Sequence, residues 1–298
     1  MSIKPVHLPV LLDEVIHYLA PRDGGLYVDG NLGLGGHSGA ILAASSPGGR
    51  VVGFDWDEDA LVQARVNLER FAGRVEFVRR NFAEIKETLP GMGLDKVDGL
   101  LLDLGLSSLQ LDGSGRGFTF QGSEPLDMRM DVSRPETAAD LLNRASEQEL
   151  ADIFYLYGEE RQARRIASRV VDVRRKIPLA TTDQLVKIVE NAVPRRFWPK
   201  KIHVATKVFQ ALRIAVNREL DNLEKILGSV TDIVKPGGRI CIISFHSLED
   251  RLVKRAFRNN PALVPLTAKA VTAAEHEIMV NPRSRSARLR VAAVRGQE

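Results

Sequence analysis

Short apolar runs alternate with helical patterns through the first hundred residues, and this alternation restricts the fold more than any other feature of the chain. The runs cover residues 26–29, 50–55, 75–78 and 97–103. Parallel strands joined by helices give this pattern, because helices cover both faces of the sheet and the strands become apolar throughout. We therefore predict an α/β fold with a Rossmann-like parallel sheet.

The pattern changes after residue 112. Glycine-rich and acidic loops come first, and amphipathic helices follow, one with Ile166, Val170, Val173 and Ile177 at helical spacing. No strand is predicted before about residue 210. We predict an inserted all-helical domain over residues 113–210.

The sheet pattern returns near the C-terminus, after a long helix predicted from Thr206 to about Leu227 and a turn at residues 236–238. The further strands are predicted at residues 238–245, 263–267 and 289–294. Residues 1–112 and 211–298 are therefore predicted to form one domain.

A glycine loop, residues 29–38, follows the first predicted strand and leads into a helix. Glycine has no β-carbon, so the backbone at Gly33, Gly35 and Gly36 can approach a ligand closely. Asp55 ends the second strand, where an acid can accept both hydroxyls of a ribose. A nicotinamide loop needs a third glycine where Ser38 stands, so S-adenosylmethionine, which has no pyrophosphate, fits better.

A polar segment follows the fourth predicted strand, at the edge of the sheet where ligands bind in such folds. It carries Asp103, Ser107, Ser108 and Gln110. A carboxylate, two hydroxyls and an amide could hold both a cofactor and a substrate. The alternative is that the serines and the acid cap the next helix.

Positive charge is concentrated in one segment, although the net charge of the chain is only +4. Residues 161–207 hold 13 Lys and Arg against 3 acids, a net +10, and the remainder holds 29 against 35, a net −6. The C-terminal region adds further arginines. A polyanionic partner would explain the asymmetry, and a solvated helix face is the alternative. The arginines predicted to contact it are Arg164, Arg165, Arg174, Arg175, Arg283 and Arg285.

Several classes of protein are disfavoured. No apolar run approaches the roughly 20 residues of a membrane span, and the N-terminus lacks a signal-peptide pattern. We expect a soluble, cytoplasmic protein without a membrane partner. Cys241 is the one cysteine, so an internal disulfide and a multi-cysteine zinc site are excluded. Its apolar setting predicts a buried strand residue.

Several longer strings identify a family. They are HLPVLLDE at 7–14, RGFTF at 116–120, LDMRMD at 126–131, FQALRI at 209–214, FHSLED at 245–250 and NPRSRSARLR at 281–290. Together they resemble the bacterial 16S ribosomal RNA cytosine-N4 methyltransferases, the RsmH or MraW family. The resemblance implies a Rossmann-like, S-adenosylmethionine-dependent sheet with a helical insertion. It also implies methyl transfer to the exocyclic amine of a cytidine in the decoding region of 16S rRNA, within the small ribosomal subunit. We expect this transfer to need no metal.

The resemblance also implies roles for individual residues. The cofactor positions of the family correspond to Gly35, Gly36, His37, Asp55, Phe82, Asp103 and Gln110, with Phe82 beside the adenine and the last two near the methionine end. The candidates for catalysis are Asp103, Ser107, Ser108 and His246. Two departures from the family pattern are Val204 in place of a proline and Asn31-Leu32-Gly33-Leu34 in place of Thr-Leu-Gly-Gly.

Other interpretations stay open for several of these residues and for the function. His37 could cap the helix after the loop, and Phe82 could be ordinary core. His246 and Ser247 could belong to a capping arrangement, with Ser247 as the cap and Asp250 three residues on. The spacing of His246, Glu249 and Asp250 would also allow a metal site. The chain could also methylate another RNA site or a small molecule, or be a non-catalytic RNA-binding assembly factor. A nicotinamide oxidoreductase is a third class, disfavoured by Ser38.

Overall fold

The chain forms two compact units, Met1–Ser107 with Leu220–Glu298, and Ser108–Glu219. A computed structural model describes residues 8–107, 110, 114–120 and 122–296. The first unit contains a seven-stranded sheet covered by helices. The regular elements described in the second unit are helices.

The sheet confirms the predicted α/β fold. Its order is β3-β2-β1-β4-β5-β7-β6, with β1 to β5 parallel and β7 antiparallel to both β5 and β6. The chain reverses its direction of winding between β1 and β4, and ligands of such sheets bind at this point. The strands are β1 Leu26–Asp29, β2 Arg50–Asp55, β3 Val75–Arg79, β4 Val97–Asp103, β5 Val234–Ser244, β6 Leu263–Pro265 and β7 Arg288–Val294.

Both faces of this sheet are buried, which explains the unbroken apolar runs. Along β4, Leu100 and Leu102 pack into one core cluster and Leu101 into the other. Burying a leucine side chain contributes roughly 1.5 to 3 kcal/mol, so each strand is fixed from two sides. The helices of this unit are Leu12–Leu19, Gly36–Ala44, Glu58–Asn67, Ile85–Thr88, Glu219–Ile233, Ser247–Asn259 and Glu275–Val280.

The second unit is built from capped amphipathic helices. Thr137 and Asp140 form a reciprocal capping box, as do Ser146 and Glu149, so the first amides of these helices are satisfied. Ile177 was predicted on the buried stripe of one helix, but it lies beyond the helix end and is 62% exposed. The helices are Ala138–Arg144, Glu147–Leu156, Ala163–Arg174, Thr182–Ala192 and Thr206–Asn217.

Two predicted elements near the return to the sheet were wrong. The long helix from Thr206 ends at Asn217, because Arg218 adopts the left-handed conformation (φ 53°), and a second helix follows. The predicted turn at residues 236–238 lies inside β5, where the pairing with β4 shifts between Val97 and Gly99. No helix in the described part of the chain combines the length and apolarity needed to cross a membrane.

Candidate active site at the carboxyl edge of the sheet

Three neighbouring strands end in aspartate at the carboxyl edge of the sheet. Asp29 ends β1, Asp55 ends β2 and Asp103 ends β4. Asp29 is only 1% exposed, and the other two are half-buried. Burying several carboxylates close together lowers the stability of a fold unless hydrogen bonds or a bound ligand compensate for the lost water. This edge of the sheet is therefore the first candidate for a functional site.

The glycine loop lies between β1 and the helix Gly36–Ala44. Gly33 (φ +51°) and Gly35 (φ +83°) adopt conformations that favour glycine. A β-carbon on Gly35 would lie 2.8 Å from the side chain of Leu68, and one on Gly36 would overlap Pro9. A β-carbon on Gly33 would meet no atom within 4 Å. The loop is therefore tightly packed at Gly35 and Gly36 and borders open space at Gly33.

Asp55 connects this loop to β2. Its Oδ2 accepts a hydrogen bond from the Gly33 amide at 2.9 Å, and its Oδ1 accepts one from the Asp57 amide at 2.9 Å. Burial nevertheless raises the pKa of Asp55 to about 6, since the two amides only partly offset the loss of water. Each carboxylate oxygen has a second lone pair, so the group can still accept two hydroxyls.

Asp29 is a site residue to which the sequence analysis gave no role. Its Oδ2 accepts from the Ser38 hydroxyl at 2.7 Å and its Oδ1 from the Asn31 amide at 3.3 Å. Burial raises the pKa of Asp29, against the lowering effects of His37 and Ser38. The available signal was its place at the end of the first strand, level with Asp55. Asp29 closes the base of the glycine loop.

His37 lies near Asp103 without forming a hydrogen bond. The distance from His37 Nε2 to Asp103 Oδ2 is 3.6 Å, beyond hydrogen-bond range. Both ring nitrogens of His37 are buried without a partner, as is Oδ1 of Asn31. His37 makes no capping bond to its helix, so the capping interpretation is wrong.

Buried polar atoms without partners cost about 1 to 3 kcal/mol each, and most proteins satisfy them. At this edge the unsatisfied atoms of Asn31 and His37 lie beside a loop that opens at Gly33. The donors and acceptors therefore fit a polar ligand such as S-adenosylmethionine, which carries hydroxyl, amine and carboxylate groups.

The segment after β4 begins with a tight turn. The Gly105 amide donates to Asp103 Oδ1 at 3.2 Å, and a β-carbon on Gly105 would lie 2.8 Å from the ring of Phe245. Ser107 ends the N-terminal segment of the first unit, and Ser108 lies outside the described residues. Gln110 is buried in the second unit, where its carbonyl accepts from the Ser114 hydroxyl at 2.9 Å.

Phe82 follows β3 and begins a short 3₁₀ turn, Phe82–Glu84. Its side chain is buried in the core cluster that includes Phe54 and Leu102, and its β-carbon approaches Gly30. Phe82 is therefore a core residue in this structure. Its contact with adenine stays a prediction.

Comparison with known proteins identifies the family. The model of the MraW methylase family matches residues 4–295. The chain belongs to the MraW methylase family. A ribosomal RNA small subunit methyltransferase H from Desulfotalea psychrophila is 56% identical over 292 residues, which cover 98% of this chain and 99% of that one. A protein of the same name from Geotalea uraniireducens is 52% identical over 304 residues, covering 96% and 97%.

Among solved structures, an rRNA methylase from Streptococcus thermophilus aligns over 99% of both chains at 10% identity and a TM-score of 0.43. The resemblance expressed by the sequence motifs is confirmed by the family model and the relatives.

The string FHSLED, residues 245–250, contains the N-terminal cap of a helix. The capping residue differs from the one considered in the sequence analysis. His246, rather than Ser247, is the N-cap of Ser247–Asn259, and it forms a capping box with Glu249. The Glu249 amide donates to His246 Nδ1 at 3.4 Å, and Glu249 Oε2 accepts from the Phe245 amide at 2.8 Å. His246 Nε2 is buried without a hydrogen bond, although Glu249 Oε1 lies 3.2 Å away.

The arginines predicted to contact RNA differ in their surroundings. Arg164 and Arg165 are exposed on the helix Ala163–Arg174. Arg174 instead donates to the carbonyl of Leu142 at 2.6 Å, and Arg175 lies 3.8 Å from Asp172. The carbonyl contact holds the guanidinium of Arg174 without changing its charge, and Asp172 offsets part of the charge of Arg175.

The C-terminal arginines also divide into two groups. Arg285 is exposed and Arg283 half-buried. Arg290 and Arg288 both contact Asp250, with Arg290 Nε 2.7 Å from Asp250 Oδ1. Asp250 is therefore a partner of the C-terminal strand rather than part of a helix cap.

Proposed function

We propose that this protein is an S-adenosylmethionine-dependent methyltransferase that modifies the exocyclic N4 of a cytidine in the decoding region of 16S rRNA. The observation that carries the proposal is the carboxyl edge, where three aspartates surround a glycine loop with unsatisfied polar atoms. Family membership supports the methylase activity. The relatives' names support small-subunit rRNA as the substrate, which implies a cytoplasmic protein.

S-adenosylmethionine supplies the methyl group when it is bound. Asp55 accepts the ribose hydroxyls, and His37 and Asn31 offer the unsatisfied polar atoms to the same ligand. The glycines keep the loop free of side chains. The residues that we propose to hold the cofactor are Gly33, Gly35, Gly36, His37, Asp55, Phe82, Asp103 and Gln110.

The exocyclic amine of cytosine is a weak nucleophile, so the protein must orient it and accept its proton. Asp103 is the proposed proton acceptor. Its Oδ1 accepts a hydrogen bond from the Gly105 amide, whereas the neighbour of its Oδ2, His37 Nε2, lies 3.6 Å away, beyond hydrogen-bond range. Orientation of the amine can supply a large part of the reduction in the activation barrier, and a positioned base raises the reaction rate by a further factor of roughly 100 to 10,000. Ser107, Ser108 and His246 are the further proposed participants in this step.

Cys241 argues against methylation at carbon 5 of cytosine. That reaction requires a cysteine thiolate to add to the ring, and this chain has one cysteine. Cys241 is fully buried in β5, and burial raises the pKa of its thiol to about 12. A thiolate does not form there at neutral pH, so amine methylation is the better supported reaction.

The charge distribution supports an RNA substrate over a small molecule. Residues 161–207 carry a net +10, and Arg164 and Arg165 stand exposed within them. Cations that neutralise phosphates release counterions, so binding of this kind weakens steeply with salt. We propose that Arg164, Arg165, Arg174, Arg175, Arg283 and Arg285 contribute this attraction, the first two most directly.

Nucleoside analysis tests the proposal. Purified protein is incubated with small ribosomal subunits and with cofactor labelled in its methyl group. The RNA is then digested to nucleosides, and mass spectrometry identifies the nucleoside that carries the label. We expect the label in N4-methylcytidine, and about 100-fold less of it, or lower still, with the Asp103→Asn variant in the same time. A label on the ribose, on carbon 5 or in another RNA would contradict the assignment, and tight RNA binding without transfer would favour an assembly factor.

A further inference from the structure

We propose that Phe197, in the second unit, is a stacking platform for an unpaired base of the RNA substrate. This inference rests on the proposed function and names a part of the chain that recognises single-stranded RNA. It concerns the segment 194–202, which we call the aromatic turn. None of its residues belongs to the carboxyl edge of the sheet.

Hydrogen bonds and two prolines hold the backbone of the aromatic turn. Arg195–Phe197 form a 3₁₀ turn, in which the Phe197 amide donates to the Pro194 carbonyl at 2.8 Å. Trp198 Nε1 donates to the Val193 carbonyl at 2.9 Å, and Pro199 follows. The two prolines restrict the backbone on both sides of the turn. An aromatic side chain on such a turn loses little freedom when it binds a ligand.

The ring of Phe197 is exposed and accompanied by a cation. Its exposed fraction is 49%, and the guanidinium of Arg196 lies 4.8 Å from the ring centroid. Arg195 lies 4.4 Å from the ring of Trp198, which is half-buried. Aromatic rings with arginines beside them are what proteins use to stack bases while neutralising the adjacent phosphates.

The charge around the turn favours nucleic acid over an apolar partner. Residues 191–218 contain no acid, and Lys200 and Lys201 are exposed. The basic residues of this stretch are Arg195, Arg196, Lys200, Lys201, Lys207, Arg213 and Arg218.

Tyr155 provides a contrast within the same unit. It is 61% exposed, more than Phe197, but its helix Glu147–Leu156 carries the exposed acids Glu147, Glu149 and Asp152. Phosphates would be repelled there. Tyr155 and Phe197 are the aromatic residues among the exposed large hydrophobic side chains of the described chain, so they form a matched pair.

The base must be unpaired. In an A-form duplex both faces of each base are covered by its neighbours, so stacking on a side chain requires a loop, a bulge or a strand end. Phe197 should therefore distinguish single-stranded from double-stranded RNA, whereas the surrounding cations should bind both.

The test compares affinities of the full-length protein for small ribosomal subunits, for a single-stranded RNA of about 12 nucleotides, and for the duplex of that RNA. Phe197→Ala should weaken binding to the single strand roughly 5- to 150-fold, the range for losing one stacked base. Phe197→Leu should behave like Phe197→Ala, and Phe197→Tyr should restore binding. Tyr155→Ala should match the wild type on every RNA.

The salt dependence separates stacking from charge. Phe197→Ala should leave the slope of affinity against salt unchanged, and Arg196→Gln should reduce it by about 0.7 to 0.9. An unchanged far-UV circular dichroism spectrum and an unchanged urea unfolding curve, together with wild-type calorimetric affinity for S-adenosylmethionine, show that both units of each variant are folded.

Three results would overturn the inference: wild-type affinity in Phe197→Ala, wild-type affinity in Phe197→Leu, or an equal loss on the duplex. In each case methyl transfer by the wild type would remain, so the proposed function would stand. A wild-type protein that neither binds rRNA nor methylates it would refute both.

Discussion

β4 carries an aspartate near each end, and the two have opposite surroundings. At the amino end, Asp98 accepts from the Leu26 amide at 3.0 Å, Lys235 at 2.9 Å and Arg22 at 2.7 Å. At the carboxyl end, Asp103 accepts a hydrogen bond from the Gly105 amide at 3.2 Å, and His37 Nε2 lies 3.6 Å from its Oδ2, too far for a hydrogen bond. Asp98 therefore links three segments of the fold, whereas Asp103 has fewer protein partners, as we expect of the ligand-binding group that we propose it to be.

The pKa values show the same contrast. Burial alone would raise the pKa of Asp98, but its three donors outweigh burial and keep the pKa below the usual range. Burial raises the pKa of Asp55 to about 6 and also raises that of Asp29. At neutral pH, Asp98 therefore stabilises the fold, and this contribution is lost as the pH falls through its folded pKa. Asp55 has the opposite effect. Its ionised carboxylate lowers the stability of the folded state above pH 6, and the stability recovers as the carboxylate takes up a proton between about pH 6 and pH 4.

The largest effect should come from Asp103→Ala. Methyl transfer in single turnovers should fall about 100-fold or more, because the amine loses its proposed orienting group and proton acceptor. Cofactor affinity is measured separately by calorimetry, since Asp103 is also a proposed cofactor contact. Asp98→Ala is the matched control and should retain the wild-type rate in its folded fraction. Equal rate losses in the two variants would break the comparison.

The next effect concerns Asp55→Ala. Two ribose hydroxyls would lose a charged acceptor, worth about 1.5 to 3 kcal/mol, so calorimetry should show cofactor binding weakened roughly 10- to 150-fold. Unchanged affinity would mean that Asp55 serves only the glycine loop, through its bonds to Gly33 and Asp57.

A smaller effect should appear in the pH dependence of cofactor binding. Hydroxyl donors favour the ionised carboxylate, so affinity should be constant well above pH 6 and about 10-fold weaker at pH 5, where roughly a tenth of Asp55 is ionised. Titrations of the wild type and Asp55→Ala would check this. The variant keeps Asp29, whose pKa burial also raises, so the same slope in both proteins would assign the effect to a group other than Asp55.

The smallest effect should be on stability. Asp98→Ala should lower the free energy of unfolding in urea by about 1 to 2 kcal/mol at pH 7, mainly through the lost bond to Leu26. The ion pairs add less, since the side chains of Arg22 and Lys235 are 75% and 46% exposed. Arg22→Ala should consequently change stability less than Asp98→Ala. The reverse order would show that the Arg22–Asp98 ion pair contributes more to stability than the bond between Asp98 and the Leu26 amide.

The sequence predicted the parallel strands closely because their signal is local. The bounds of β1, β2 and β4 agree with the predicted runs, and β3 extends one residue further, to Arg79. β5 was harder to predict, since its first residues include Pro236 and two glycines, which are typical of turns, and join the strand through an irregular pairing with β4. The break at Arg218 also has no local signal, because arginine favours helices and adopts the left-handed conformation only in this context.

The candidate site was predictable to the same extent. Asp55 and the glycine loop follow from their positions at strand ends, and the structure brings them together through the Gly33 amide. The roles of other charged residues depend on partners far away in sequence. Arg290 contacts Asp250, and Arg174 binds the Leu142 carbonyl. Residue counts give the charge of a segment but not how much of it is already paired.

The burial of Cys241 has a practical consequence. The chain's one thiol lies in the core with a pKa of about 12, so reagents that modify thiolates should react with it only when the sheet opens. Its rate of modification in dilute denaturant would thus report directly on opening of the central strands. A cysteine introduced on the surface would be the single reactive thiol of the folded protein, so fluorophores or spin labels could be attached at one chosen position without first removing a native residue.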